Sequence, residues 1–236
     1  FNLISLEEKK KIRNEYQINT EDFILTNIGA MTENKGVEML IASYGILKKK
    51  KINLKLILKD QSNLYDIKAD RSIQNVLNSE FNKKYKIINE EMYKDIMILS
   101  KNLNFNELRD LYSITDCYVS PYMAEGFNMT PLEAAACGTQ IVVTNGGSTD
   151  DYFNECMGFK IESKEKKVNN DYLLSPKLDS LIEELTDIIN KSDEKKLTRS
   201  KFVRENYSWE NVVKKLKKEF ENKLSKWNMK LWKKLI

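Results

Sequence analysis

The amino-acid sequence predicts an α/β protein with a Rossmann-like, doubly wound parallel sheet and a helical C-terminal extension. Two features of the sequence support this prediction. Short apolar runs alternate with segments whose apolar residues recur at helical spacing, which is typical of parallel sheets covered by helices on both faces. The run Ile141–Val143 is apolar throughout, as expected of a strand that is buried on both faces.

The predicted elements follow one another along the first two thirds of the chain. Residues 1–20 are charged and have a helical pattern, so we expect a linker or an incoming helix there. Residues 162–170 are polar and are predicted to form a surface loop, and after Pro176 the pattern is helical. Strands are predicted at Phe23–Ile28, Leu54–Leu58, Ile96–Leu99, Cys117–Ser120 and Ile141–Thr144, and helices at Asn34–Lys48, Phe105–Ser113 and Thr130–Cys137. The chain therefore divides into segments 1–20, 21–176 and 177–236.

The composition excludes several classes of function. The 236 residues include no histidine, so Ser-His-Asp catalysis, Cys-His catalysis and HExxH zinc sites are excluded. The formal net charge is only +4, which does not indicate a nucleic-acid-binding surface. The three cysteines are an odd number, and we expect reduced thiols and a cytoplasmic protein. Because the first residue is Phe1, we expect that the chain begins inside a longer protein.

The loops at one edge of the predicted sheet are expected to form a ligand site. In doubly wound folds, ligands bind outside the carboxyl ends of the strands. The loops that follow the predicted strands are residues 29–36, 59–63, 100–103, 121–130 and 145–149. We expect them to surround one crevice.

The loop before the third predicted helix has features of an anion site. The local pattern predicts Thr130 as N-cap and Glu133 as a capping-box acid. The N–H groups of this helix start and of Gly126 and Phe127 are suited to bind a diphosphate, and Gly126 allows close approach. If a nucleotide sugar binds here, Glu125 and Glu133 are expected to accept hydrogen bonds from sugar and ribose hydroxyls.

The same segment resembles a known family. Glu125 and Glu133, in the setting Ser120-Pro121…Glu125-Gly126-Phe127…Leu132-Glu133-Ala134-Ala135-Ala136-Cys137-Gly138, are similar to retaining glycosyltransferase family 4, which has the GT-B fold. The resemblance covers residues 23–152 and implies that the chain is the C-terminal, donor-binding half of that fold. It implies that Glu125 contacts the donor sugar and Glu133 the ribose. The donor-binding backbone then comprises Gly126, Phe127, Asn128, Met129 and Thr130.

A second family element follows the first strand. Gly29-Ala30…Lys35-Gly36 resembles the Gly-Arg…Lys-Gly phosphate clamp of the family, with Lys35 in place and Ala30 where the arginine stands. A lysine in the first turn of the predicted helix is unfavourable unless an anion compensates it. We therefore take Lys35, with Glu125, as a candidate catalytic residue. Lys59, at the end of the second strand, is a candidate for the missing cation, and an exposed strand-end lysine is the equal alternative.

Two further loops are expected at the donor. The loop at Ser100–Leu103 corresponds to the one that reads the base in this family, largely through its backbone, and Asn102 and Leu103 are the candidate contacts. The loop Asn145–Asp150 resembles the glycine-containing loop that approaches the donor from the other side. A Gly-Gly pair alone indicates only a turn.

The resemblance implies a retaining transfer of a sugar from a UDP-sugar or GDP-sugar. No Asp-x-Asp motif is present, so we expect neither a metal nor another cofactor. Two alternatives remain: a nucleotide-sugar epimerase of the same architecture, and a non-catalytic binding domain, which Ala30 keeps open. The N-terminal acceptor domain of a whole GT-B enzyme is missing, so the chain alone is expected to be inactive.

The C-terminal segment predicts a basic amphipathic helix, with two possible roles. GT-B enzymes close with a helix that packs back on the domain, and we favour this role. Contact with an anionic membrane surface is the alternative. The apolar stripe is Val212, Leu216, Phe220, Leu224, Trp227, Leu231 and Leu235, and opposite it lie Lys214, Lys215, Lys217, Lys218, Lys223, Lys226, Lys230, Lys233 and Lys234.

Overall fold

The computed structural model describes residues 1–50, 53–169 and 171–235, with side chains up to Leu224. Its helices and strands are, in chain order, α1 (Leu6–Glu15), β1 (Phe23–Gly29), α2 (Val37–Lys48), β2 (Leu54–Asp60), α3 (Ser62–Tyr65), α4 (Ala69–Asn78), α5 (Glu80–Tyr85), α6 (Glu90–Lys94), β3 (Ile96–Leu99), α7 (Phe105–Ile114), β4 (Cys117–Ser120), α8 (Met129–Ala136), β5 (Gln140–Thr144), β6 (Gly158–Ile161), β7 (Ser163–Val168), β8 (Asp171–Pro176), α9 (Leu178–Asn190), α10 (Lys196–Tyr207) and α11 (Trp209–Leu235).

The central element of the described residues is a parallel sheet of six strands in the order β3-β2-β1-β4-β5-β6. The sheet contains all five predicted strands, within two residues of the predicted bounds, and β6 in addition. The strand order reverses between β1 and β4, and such a switch point opens a crevice at the carboxyl ends of the strands. The predicted fold class is confirmed.

Helices cover the sheet because the strands are apolar on both faces. Helix α2 packs against α4 and α9, and α7 packs against α1 and α8. The consecutive residues Ile24 and Leu25 of β1 point to opposite faces, and both are fully buried. Consecutive apolar residues of β5 are buried in the same way. This arrangement explains the continuous apolar runs of the sequence.

The helix predicted at Asn34–Lys48 begins three residues later than expected. Residues Glu33–Lys35 form a 3₁₀ turn, Gly36 adopts a left-handed conformation with φ 66°, and α2 begins at Val37. A Cβ atom at Gly36 would overlap the carbonyl oxygen of Pro121, so glycine is required here. Lys35 therefore precedes the helix, and the dipole argument that placed it in the first turn was wrong.

The start of α8 also differs from the prediction. Its N-cap is Asn128, in a left-handed conformation, rather than Thr130. Asn128 is held there because its side chain donates to Ser120 Oγ at 3.0 Å and its carbonyl accepts from Tyr152 at 2.6 Å. The capping-box interpretation of Glu133 was therefore wrong.

A hairpin replaces most of the surface loop predicted at residues 162–170. Strands β7 and β8 pair antiparallel, from Ser163 opposite Pro176 to Val168 opposite Asp171. Residue 170 of the prediction lies outside the described residues. The lysine-rich β7 lacks apolar alternation because its side chains are mostly exposed, and its partner strand supplies the backbone hydrogen bonds. The hairpin is joined to the β4–α8 loop, since Leu174 N–H donates to the Met123 carbonyl at 2.8 Å.

Residues 201–236 form a second compact unit, with the end of α10 and helix α11. Within α11, Leu216, Phe220 and Leu224 are exposed, and Lys214 pairs with Glu210 at 2.6 Å. The predicted helical extension is confirmed, and its two suggested roles stay predictions. Among the described residues, no helix is both long and apolar enough to cross a membrane. The rest of the predicted amphipathic pattern lies outside the described side chains: Lys226, Trp227, Lys230, Leu231, Lys233, Lys234 and Leu235. Residue 236 of the predicted segment 177–236 lies outside the described residues.

Candidate functional site

Two neighbouring strands, β1 and β4, separate at the switch point of the sheet. Their backbone pairing ends at Thr26 opposite Tyr118. Beyond it, side chains bridge the two strands: Asn27 donates its amide to the Val119 carbonyl at 2.7 Å, and the Tyr118 hydroxyl accepts from Ile28 N–H at 3.2 Å. The loops that follow β1 and β4 therefore leave the sheet on either side of a crevice.

The two loops are joined to each other on one side of this crevice. The backbone carbonyl of Asn34 accepts from Met123 N–H at 2.7 Å, and its side-chain amide donates to the Ala124 carbonyl at 3.0 Å. Gly36 packs against Pro121 in the same region. The close approach that Gly36 permits is therefore an approach between two loops of the protein.

Lys35 and Glu125, the two candidate catalytic residues, form an ion pair across the junction of the loops. The Lys35 ammonium donates to Oε1 of Glu125. Their side chains are 26% and 12% exposed, respectively. Two residues that are 90 positions apart in the sequence are thereby brought into direct contact.

Gly29 and Gly126 face open space, unlike Gly36. A Cβ atom at either position would meet no atom within 4 Å, although the φ of 156° at Gly29 itself favours glycine. No acceptor among the described residues takes the backbone N–H groups of Gly126, Phe127, Asn128 or Met129. Phe127 and Met129 are exposed beside these groups. The start of α8 therefore presents unused donors to an unfilled space, which is the arrangement of an anion site.

Two tyrosines, one on β4 and one in the loop after β5, hold the backbone of this segment. Tyr152 bonds the Asn128 carbonyl, and the rings of Tyr152 and Phe127 lie 5.2 Å apart. The hydroxyl of Thr130 lies 2.7 Å from that of Tyr118, which is the same hydroxyl that bridges β1 and β4. The sequence analysis missed the tyrosines, although their place in and after buried strands is a usable signal.

Glu133 is held by a buried phenol rather than by its own helix start. The Tyr112 hydroxyl donates to Oε2 of Glu133 at 2.8 Å. Burial raises the pKa of Glu133, and the hydrogen bond from Tyr112 partly opposes this. The carboxylate is thereby fixed on α8 with its orientation set by α7.

Lys59 lies at the carboxyl end of β2, beside Ile28 of β1. Its ammonium donates to the Asp60 carbonyl, and burial lowers the pKa of Lys59. Ala30, which stands in the position of a second cation, is buried. Lys59 is buried, so the alternative of an exposed strand-end lysine was wrong, whereas its role as the second cation stays a prediction.

A buried acid, Asp60, was missed by the sequence analysis and organises the neighbouring loop. Its carboxylate accepts from Ser100 Oγ at 2.9 Å, from Ser62 Oγ at 2.9 Å and from Ala69 N–H at 3.1 Å. Burial alone would raise the pKa of Asp60, but these hydrogen bonds lower it below its ordinary value. Asp60 therefore fixes the start of the loop at Ser100–Leu103.

The remaining predicted loops differ in how closely they are held. Asn102 is exposed and accepts from Asn63 Nδ2 at 3.2 Å, and Leu103 is half-buried. The Gly-Gly loop is packed, because a Cβ atom at Gly147 would lie 2.6 Å from the Tyr122 hydroxyl. That hydroxyl in turn accepts from Thr149 N–H at 3.3 Å. No group of three or more Cys, Asp or Glu side chains within the described part of the chain is suited to a metal ion.

Curated proteins of similar sequence are glycosyltransferases. An uncharacterized glycosyltransferase of Methanocaldococcus jannaschii is 23% identical over 214 residues, which cover 89% of this chain and 48% of that protein. The capsular polysaccharide biosynthesis glycosyltransferase CapM of Staphylococcus aureus is 23% identical over 189 residues, covering 77% of this chain and 42% of CapM. The chain thus spans less than half the length of these two relatives.

Solved structures show the same fold. Sucrose-phosphate synthase from Thermosynechococcus elongatus superimposes with a TM-score of 0.69 at 16% identity, over 95% of this chain and 50% of that one. The C-terminal domain of a glycosyl transferase group 1 family protein from Francisella tularensis gives 0.65 at 15% identity, over 89% of this chain and 96% of that one. HepE of Anabaena, in complex with UDP-glucose, superimposes with a TM-score of 0.62 at 13% identity, over 94% of this chain and 56% of that one. The fold is the Rossmann-like C-terminal half of the GT-B architecture.

The family itself is shown by a match that covers most of the chain. The model of the family "Glycosyl transferases group 1" matches residues 8–196 of the 236. This range includes both loops of the crevice and every strand of the central sheet. The chain therefore belongs to the glycosyl transferases group 1 family.

Proposed function

We propose that this chain is the donor-binding half of a retaining glycosyltransferase, which moves a sugar from a nucleoside-diphosphate sugar to an acceptor. The observation that supports it most is the crevice between the loops of β1 and β4. There, unused backbone N–H groups, the cation Lys35 and the carboxylate Glu125 lie on two loops that are bonded together. These are the groups that a diphosphate and a sugar require.

The diphosphate is assigned to the start of α8. An anion there accepts from the N–H groups of residues 126–129 and lies at the positive end of the helix dipole. Gly29 and Gly126 leave space for it, since a Cβ atom at either position would meet no atom within 4 Å. Lys35 supplies the positive charge, and Lys59 is proposed as a second cation.

The two carboxylates are assigned to hydroxyl groups of the donor. An ionised carboxylate only accepts hydrogen bonds, so it suits the diols of a sugar and a ribose. We assign Glu125 to the donor sugar and Glu133 to the ribose. Tyr112 keeps Glu133 in one orientation for this contact.

The base is assigned to the loop at Ser100–Leu103, with contacts to Asn102 and Leu103. The base of the proposed donor is either uracil or guanine. HepE, whose fold is similar, was solved with UDP-glucose, so UDP-sugars are the first donors to test. GDP-sugars are the second.

The proposed reaction retains the configuration of the sugar. The bond from the anomeric carbon to the diphosphate oxygen breaks, a bond to the acceptor oxygen forms on the same face, and the acceptor proton passes to the leaving diphosphate. Lys35 and the N–H groups at the start of α8 stabilise the charge that develops on the diphosphate. No residue of this scheme requires a metal ion, and we propose that the reaction is metal-independent.

The acceptor is proposed to bind on a further α/β domain of a longer protein. The chain spans less than half the length of the Methanocaldococcus jannaschii and Staphylococcus aureus relatives, which leaves room for such a domain in those proteins. We therefore expect this chain to bind a nucleotide sugar without transferring the sugar efficiently. Cytoplasmic location, with or without membrane contact through α11, is part of the same proposal.

A non-catalytic nucleotide-sugar-binding domain is the second candidate function. It is favoured by Ala30, because the residue leaves Lys35 as the only cation of the clamp segment Gly29–Gly36. Transfer by the full-length protein distinguishes the two, since Glu125→Ala abolishes transfer only if the site is catalytic.

Titration calorimetry with UDP and with GDP tests the proposed site directly. We expect one of them to bind saturably and Lys35→Ala to weaken it about tenfold, or about 1.4 kcal/mol, as for loss of a charge-assisted hydrogen bond. Lys191→Ala, which removes an exposed lysine at the end of α9 paired with Asp187, is the matched control and is expected to change little. Absence of saturable binding at millimolar nucleotide contradicts the proposal.

A further inference from the structure

Lys35 and Glu125 are bonded to each other, although the proposed function assigns them to different parts of one ligand. Lys35 is assigned to the diphosphate and Glu125 to a hydroxyl of the donor sugar. In this structure the Lys35 ammonium donates to the Glu125 carboxylate, and both side chains are largely removed from water. A diphosphate that takes the ammonium must therefore compete with a carboxylate that already binds it.

The backbone on both sides of the ion pair is fixed. Asn34, next to Lys35, bonds Met123 and Ala124, the two residues that precede Glu125. Gly36, on the other side of Lys35, packs against Pro121. Because hydrogen bonds hold the two loops together, the side chains of Lys35 and Glu125 meet at a smaller entropic cost than two flexible surface residues would.

In the described part of the chain, neither residue has a second ion-pair partner. Among the described residues, Lys35 forms an ion pair only with Glu125, and Glu125 only with Lys35. When an anion takes the ammonium, Glu125 becomes a largely buried carboxylate without a cation and close to a second anion. Both changes are unfavourable unless new donors reach Glu125.

We propose that the ion pair is an internal latch, by which the site binds a complete nucleotide sugar in preference to the free nucleoside diphosphate. This inference rests on the proposed function. A nucleotide sugar opens the latch with its diphosphate and replaces the ammonium at Glu125 with its own hydroxyl groups. A free nucleoside diphosphate has no sugar to do this, so after transfer Glu125 competes with it for Lys35 and favours its release.

Calorimetric titration of UDP, and of GDP in parallel, into Glu125→Gln tests the latch. Glutamine keeps the shape of the side chain and removes its charge, so Lys35 is released for the diphosphate. We expect binding on the order of fivefold tighter than to the unaltered chain, which corresponds to about 1 kcal/mol. Glu125→Asp draws the carboxylate back by one methylene while keeping its charge, and we expect it also to bind the nucleotide more tightly. Thermal unfolding confirms that each variant is folded.

Two controls separate the latch from simple charge repulsion. In a Lys35→Ala background no ammonium is held, so Glu125→Gln is expected to give no gain. Glu38→Gln removes an exposed carboxylate of α2 that is bonded to Asn75 instead of a lysine, and it is expected to give no gain either. A similar gain in the Lys35→Ala background or in Glu38→Gln overturns the latch, as does unchanged or weaker binding by both Glu125 variants. If neither the unaltered chain nor any variant binds UDP or GDP at millimolar concentration, both the latch and the proposed function are contradicted.

Discussion

The hydroxyl of Tyr112 donates a hydrogen bond of 2.8 Å to Glu133, so a fully buried phenol on α7 orients one of the two carboxylates of the site. The pairing explains how a glutamate in the middle of a short helix keeps a defined direction. The two carboxylates therefore differ in environment, because Glu125 is bonded to a cation and Glu133 to a neutral donor.

Replacing Tyr112 with phenylalanine is expected to weaken recognition of the ribose. The change leaves a partly buried carboxylate oxygen without its donor, which costs about 1–2 kcal/mol of unfolding free energy. We expect UDP to be preferred over 2′-deoxy-UDP by a smaller factor in Tyr112→Phe than in the unaltered chain, as measured by calorimetry. Tyr122→Phe is the matched control, since it removes another buried hydroxyl, which contacts Thr149 rather than Glu133. Equal discrimination in all three proteins would contradict the assignment of Glu133 to the ribose.

Alanine at Gly36 and alanine at Gly126 are expected to have opposite effects. Gly36→Ala places a methyl group on the Pro121 carbonyl at a positive φ, so it should lower the unfolding free energy by more than about 1 kcal/mol. Gly126→Ala meets no protein atom, so stability should change by less than about 0.5 kcal/mol while UDP affinity falls about tenfold. Urea unfolding and calorimetry on both variants measure these effects. Full nucleotide affinity in Gly126→Ala would place the diphosphate elsewhere.

Lys59→Ala is expected to weaken nucleotide binding more than twofold if Lys59 serves as the second cation. A smaller loss, under about 0.4 kcal/mol, excludes a charge-assisted contact with a phosphate. Lys55→Ala removes a lysine of the same strand that pairs with Asp95 instead, and it should leave affinity unchanged. The comparison controls for the loss of one positive charge.

Asp60→Asn is expected to destabilise the fold more at pH 7 than at pH 3. The pKa of Asp60 is lowered in the folded chain, so its ionised form stabilises the fold above its unfolded pKa of about 3.9. That contribution disappears as the pH falls through the lower, folded pKa. We expect a loss of about 1.5 kcal/mol at neutral pH, measured by urea unfolding, and a smaller one in acid. An equal loss at both pH values would show that the charge of Asp60 is not what stabilises the loop.

Most of the sheet was predictable because buried parallel strands appear in the sequence as short apolar runs. Strands β1 to β5 were found in this way. The hairpin β7–β8 was not predicted. Its lysine-rich strand is stabilised by pairing with β8, and the spacing of apolar residues in the sequence gives no sign of that pairing. Residues 62–94 contain four helices, of which the first begins within the predicted loop 59–63 and the other three had no prediction.

The site was predictable in its residue types and less so in its geometry. Lys35 and Glu125 were recognised from separate motifs, but their direct bond depends on the junction of two loops distant in sequence. The start of α8 was misplaced because the pattern Thr130-Pro131 outweighed Asn128, whose left-handed conformation is stabilised by Tyr152 from another loop. Asp60 escaped notice because a single acid after a strand is uninformative until its partners are known.

The bridge between β1 and β4 suggests how the crevice can vary in width. Backbone pairing fixes the spacing of two strands, but here it stops at Thr26 and Tyr118, and the Asn27 amide and the Tyr118 phenol span the remaining gap. A side chain can be lengthened or shortened by one substitution, whereas a backbone ladder cannot. Under the proposed function, substitutions at these two buried positions would change the width of the donor crevice while the rest of the sheet stays as it is.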